Sequence, residues 1–169
     1  MAESCEVCGF VWDAVGPGDV APRLTAAAYG MGHVLGARDA LVTTRPESSR
    51  WSALEYGAHV RDVIVNIRDR IFVALAEDNP VTKPMYRELR IPFYKDETPA
   101  GVADELAMAV AMFLRTFTDL TDEQLGRTLV YTYPREASRS VLWASAQALH
   151  EAEHHLGDAR ENVTALSAR

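Results

Sequence analysis

Cysteine is nearly missing from this chain. Its 169 residues hold only two, Cys5 and Cys8, both within "CEVCGF". Two intervening residues are tight for a structural disulfide but normal for half of a tetrahedral zinc site. Long apolar runs are missing too, none approaching the ~20 residues that span a bilayer. Basic excess is a third absence: 17 Lys and Arg stand against 24 Asp and Glu, for a net charge of −7 and a pI near 5.2. That balance argues against nucleic acid or an anionic membrane as the main partner. The opening Met1-Ala2-Glu3-Ser4 lacks the basic and then apolar segments of a secretory signal, so a cytoplasmic location is expected. No internal repeat or low-complexity tract is visible.

What is present suits a soluble, packed chain. Hydrophobic residues make up 48% and charged ones 24%, and the length is that of one ordinary domain with a real core. The expectation is a single domain over 1–169, with a short Cys-x2-Cys segment at about 1–18. Asp19 can cap a first helix running to about Leu35, with Pro22 in its opening turn. The polar "RDALVTTRPESSR" then leads to Trp51. From Trp51 to about Glu77, Leu54, Ala58, Val63, Ile67, Ile71 and Leu75 recur at helical spacing, which predicts a long amphipathic helix.

Pro80, Pro84 and Pro92 make residues 78–98 an extended or locally turning crossover. Thr98-Pro99 is a helix start, followed by a buried face of Val102, Leu106, Val110, Phe113 and Phe117. "TDEQ", Thr121 to Gln124, has capping-box spacing. "GRTLVYTYP" reads as an extended connector, and a fourth long helix is expected from near Ala137 to about Leu166. Four such helices, with no strand long enough for a sheet, predict an all-α, antiparallel four-helix bundle.

Chemistry concentrates in "HEAEHHLGD", residues 150–158. Two pairs there have the i,i+4 spacing that puts both members on neighbouring turns: His150 with His154, and Glu151 with His155. At ~100° per residue, the apolar positions of this helix place His155 roughly 60–85° from the inward direction and Glu151 roughly 100–125°. His150 and His154 come out about 135° or more away, on the solvent side. A cation inside a bundle is held by side chains projecting between facing helices, which favours Glu151 and His155. His59 on the second long helix is the best third ligand. Such a set forms an open site for zinc, nickel or ferrous iron. Asp158, near His155, could orient an imidazole. The same spacings also arise by chance on any polar helix face, and the aromatic residues read equally well as core.

The left-over residues complement one another. Cys5 and Cys8 are half a zinc knuckle, and His150 with His154 could complete a Cys2His2 structural site that pins the N-terminal segment to the last helix.

"RWSALEYGAHV", with Trp51 eight residues before His59, resembles the opening of the metal-binding helix in the DinB-like superfamily, in particular its mycothiol-dependent maleylpyruvate isomerase branch. Glu151, His155 and Asp158 are similar to that branch's E-x3-H-x2-D signature, and "CEVCGF", "EYGAHVRDV" and "LHEAEHH" resemble a group of actinobacterial members. The resemblance spans about residues 5–160. It implies a four-helix bundle, often dimeric, binding a divalent metal through His59, Glu151 and His155. Many members carry HxxHH where this chain has HxxxHH; a one-residue slide would nominate His150 and His154 instead. Characterised members use low-molecular-weight thiols, such as mycothiol or bacillithiol, for transfer or isomerisation. The implied function is thus a metal-dependent thiol transferase or isomerase acting on a small electrophile. Alternatives are a non-catalytic metal-binding stress-response protein and a metal-dependent hydrolase. Arg61, Asp62, Asn66, Tyr86 and Arg87 are available to bind a polar thiol, with nothing to single one out.

Overall fold

In the computed structural model, residues 3–132 and 135–169 are described. Four long helices dominate: α1 (Pro17–Leu35), α3 (Ala53–Ala76), α5 (Pro99–Phe117) and α7 (Val141–Ser167), with short α2 (Asp39–Thr43), α4 (Arg87–Tyr94) and α6 (Asp122–Gly126) between them. The four long helices form the expected bundle, packing in the ring α1–α7–α3–α5. Side-chain pairs give the directions. Trp51 meets Asn162 and His59 meets Glu151, so α3 and α7 are antiparallel. Arg23 pairs with Glu153 and Gly30 lies against Leu156 and Arg160, so α1 and α7 run parallel. Arg61 pairs with Glu105 and Gly57 faces Val102, so α3 and α5 are parallel as well. Parallel neighbours need a crossover as long as a helix, which residues 77–98 supply.

Each long helix starts where its chemistry allows. The Ser52 hydroxyl accepts from the Glu55 N–H at 3.2 Å while the Glu55 carboxylate accepts from the Ser52 N–H at 2.7 Å, a reciprocal capping box. Burial alone would raise the Glu55 pKa, but the Arg45 guanidinium and the Ser52 N–H hold it below the ordinary carboxylate range. Thr98 caps α5 ahead of Pro99, and Thr121 with Gln124 forms the capping box of α6, both as expected. At α1 the cap is Gly16, not Asp19; Asp19 sits three residues in and accepts from the Gly16 N–H. At the other end of α3, Arg127 donates to the Ala74 and Glu77 carbonyls, meeting acceptors that the last turn leaves free.

Three connections differ from expectation. "RDALVTTRPESSR" contains α2. The proline-marked crossover contains α4, with Pro92 inside it; two turns survive because Arg90 and the Tyr94 hydroxyl both bind Asp62 on α3, at 3.0 and 2.9 Å. The connector before α7 folds as an antiparallel pair, β1 (Thr128–Tyr131) with β2 (Ala137–Ser140), so α7 begins at Val141 rather than Ala137. Of "GRTLVYTYP", Tyr133 and Pro134 lie outside the described residues.

The core runs along the bundle axis through Leu24, Met31, Ile64, Ile67, Ile71, Leu106, Phe113 and Leu149. A β-carbon at Gly30 would sit 2.8 Å from Leu156 Cδ2, so glycine permits the close approach of α1 to α7. Among the described residues, no helix is long and apolar enough to cross a membrane. Removing the α3 cap with Ser52→Ala should cost about 1 kcal/mol of stability. Urea unfolding followed by circular dichroism checks this; an unchanged midpoint would show that the cap contributes nothing.

Candidate metal centre

His59 enters the space between α3 and α7 from the second turn of α3, which the Ser52 capping box fixes in place. Glu151 and His155 project to meet it from adjacent turns of α7. His59 Nε2 and His155 Nε2 lie 3.3 and 3.2 Å from the same oxygen, Glu151 Oε2. Glu151 Oε1 is held by Gln147 Nε2 at 2.7 Å, and Gln147 Oε1 in turn accepts from the Trp12 indole at 2.7 Å. His155 Nδ1 binds Asp158 Oδ2 at 2.8 Å, the orienting role expected of that carboxylate. Aromatic rings fix the imidazoles: Trp51 meets His59 edge-on at 5.2 Å, and Tyr56 stacks on His155 at 5.1 Å.

Electrostatics follow from this closeness. Burial opposes the Glu151 charge, but the hydrogen bonds from His155 and His59 hold its pKa far below the ordinary carboxylate range. Burial would likewise lower His155, yet Asp158 and Glu151 raise it to about 9. His59 moves the other way: burial dominates, lowers its pKa and leaves it neutral. The His155 imidazolium thus lies between two carboxylates, Glu151 and Asp158, and a cation bound at its Nε2 would displace one proton.

The donors suit a divalent cation. Bonds of about 2.0–2.2 Å to nitrogen and oxygen set tetrahedral ligand atoms about 3.3 Å apart, close to the spacings of both imidazole nitrogens from Oε2. A cavity of about 230 Å³ opens beside the trio, walled by Val63, Ile67, Met85, Tyr86, Arg87 and Gln147 among others. The cluster is therefore buried on one side and accessible on the other, as an open site requires.

The structure brings together His59, Glu151 and His155 as the sequence suggested. His150 and His154 group instead with Cys5 and Cys8, and His154 also lies beside His155 and Asp158; among the described residues neither joins His59 in such a group. The solvent-side placement of His150 and His154 is corrected: His150 is buried and His154 half-buried. The N-terminal segment covers that face of α7, with Phe10 and Trp12 packing on the His150 ring at 5.2 and 4.7 Å. Among the described residues neither His150 ring nitrogen has a hydrogen-bond partner, an omission that costs about 1–3 kcal/mol per unmet group. Of the thiol-binding possibilities, Arg61 and Asp62 are spent anchoring α4 and Glu97, whereas Asn66, Tyr86 and Arg87 line the cavity. Gln147 and Trp12 were not anticipated. Gln147 stands one turn before Glu151, which is the signal that could have found it.

The sequence model of the DinB superfamily matches residues 26–159. This chain belongs to the DinB superfamily. Among solved structures, YfiT from Bacillus subtilis, described as a probable metal-dependent hydrolase with an unusual four-helix bundle topology, superposes with a TM-score of 0.82. The match covers 92% of this chain and 91% of that one at 16% identity, a likeness of fold. No curated protein matches the chain in sequence.

If Asp158 orients His155 as a ligand, Asp158→Asn should weaken divalent-cation affinity about 10–100-fold. Competition against a chromogenic chelator measures it, and unchanged affinity would leave Asp158 without that role.

Proposed function

We propose that this DinB-superfamily protein is a divalent-metal-dependent enzyme that transfers a low-molecular-weight thiol, such as mycothiol, to a small electrophile, or uses the thiol to isomerise it. The observation that carries the reading is the His59–Glu151–His155 trio beside a cavity that His59 and Glu151 line together with polar Asn66, Tyr86 and Arg87, groups that suit a polar thiol co-substrate. Among the described residues, the carboxylates that line the cavity are Glu151, a member of the trio, and Glu88, which pairs with Arg87 at 2.8 Å. A bound cation lowers the pKa of a thiol or water placed on it.

The chain's own residues do the rest. His59, Glu151 and His155 bind the cation through two nitrogens and one oxygen, a set that suits zinc and also accepts nickel or ferrous iron. Asp158 keeps the Nδ1 proton on His155, so that Nε2 offers its lone pair. Gln147 holds Oε1 of Glu151 and turns Oε2 toward the imidazoles. Asn66, Tyr86 and Arg87 offer hydrogen bonds and positive charge to a polar co-substrate, while Val63, Ile67 and Met85 exclude water around the electrophile.

A second reading, metal-dependent hydrolysis, is favoured by the shared fold with YfiT. One assay separates them: zinc-loaded protein with mycothiol and a chromogenic aryl halide, and separately with an activated ester and no thiol. Thiol-dependent halide release is expected, falling at least about 100-fold in a His59→Ala variant with unchanged helical circular dichroism. Ester cleavage without any thiol response would replace the reading with the hydrolase. Metal uptake with neither activity would leave a binding protein.

A further inference from the structure

A second set of ligand atoms lies next to the trio along α7, with the His154 ring 5.0 Å from that of His155. Residues 4–11 fold back on themselves: Ser4 bridges Val11, the Cys5 N–H donates to the Phe10 carbonyl at 2.8 Å, and the Gly9 N–H donates to the Cys5 carbonyl at 2.9 Å. Gly9 closes the turn at φ +73°, a conformation that favours glycine. The turn brings both sulfurs toward His150 and His154, and the ligand atoms of all four residues lie within 4.8 Å of one another. Cys5 Sγ is 3.9 Å from His154 Nδ1. Bonds of about 2.3 Å to sulfur and 2.0–2.1 Å to nitrogen set tetrahedral ligand atoms about 3.3–3.8 Å apart, so the four need only a small contraction to close on one ion.

His150 points to a ligand independently. Its ring is buried beneath Phe10 and Trp12, and both nitrogens lack partners among the described residues. Coordination through one nitrogen would satisfy a group that the fold otherwise leaves unmet. The cysteines are not joined in a disulfide, and Cys8 is exposed, which gives an ion a path in.

We propose that Cys5, Cys8, His150 and His154 form a structural zinc site that staples the N-terminal segment onto α7. Two thiolates and two imidazoles are a zinc-selective donor set, and four protein ligands leave no position for substrate, in contrast to the three-ligand trio. Binding releases the two thiol protons to solvent. The staple also fixes Trp12, whose indole holds Gln147.

Cobalt(II) substitution of the full-length, reduced protein tests this. The expected result is a thiolate-to-cobalt charge-transfer band with the intense visible bands of a tetrahedral site. The thiolate band should persist in His59→Ala/Glu151→Gln, which separates this site from the proposed catalytic centre. The thiolate band should vanish in Cys5→Ser/Cys8→Ser, whose zinc content at saturation drops by one ion per chain. If that double variant folds poorly, Cys8→Ser alone, at an exposed position, should keep about half of the charge-transfer intensity, one thiolate remaining of two. Absence of a thiolate band in the unmodified protein would overturn the proposal, as would an unchanged zinc content in the folded double variant.

Discussion

A carboxylate held between two imidazoles organises this molecule. Glu151 has its charge inside a bundle, where an unpaired carboxylate would be too costly to keep. His59 and His155 converge on one of its oxygens and Gln147 takes the other. That arrangement requires α3 and α7 to lie antiparallel, with residue 59 level with residues 151–155. The Ser52 capping box sets the start of α3, and the Asn162 bond to the Trp51 carbonyl fixes the same end against α7. Ile64 and Ile67 of α3 and Leu149 of α7 are fully buried where the two helices pack together in the core.

The irregular segments make sense as supports for that centre. Asp62 gathers Arg61, Arg90 and Tyr94, tying α4 back onto α3. The crossover therefore becomes one wall of the cavity, with Met85, Tyr86 and Arg87 facing it. From the opposite side, the N-terminal turn sends Trp12 to Gln147 and thence to Glu151. The two candidate clusters thus share α7, and Trp12 touches both, packing on the His150 ring at 4.7 Å while its indole reaches Glu151 through Gln147.

Much of this was legible in the amino acids because it depends on local periodicity. The apolar stripe of α5, the Thr98-Pro99 start and the TDEQ box are statements about neighbouring residues, and they hold. Glu151 and His155 were legible as a pair because i,i+4 spacing and the angle from the apolar stripe are both properties of a single helix, while His59 came from its place on the second long helix and from the family resemblance. What escaped depends on distant partners. Pro92 sits inside α4 because Asp62, thirty residues away, holds that helix in place. The four-residue strands β1 and β2 carry little pattern of their own, and each exists only by pairing with the other. His150 was placed in solvent because helical angle counts only the bundle core; the covering Phe10 and Trp12 arrive from the far end of the chain. Antiparallel packing was right for α3 with α7, while the parallel α1/α7 and α3/α5 neighbours follow from crossovers whose course no periodicity reveals.

Anomalous diffraction at the zinc edge, from crystals grown with the metal, tests the central claim most directly. The account predicts a peak bonded to His59 Nε2, His155 Nε2 and a Glu151 oxygen at about 2.0–2.2 Å, with Asp158 still on His155 Nδ1. A zinc-saturated crystal with no peak among those three residues would contradict it.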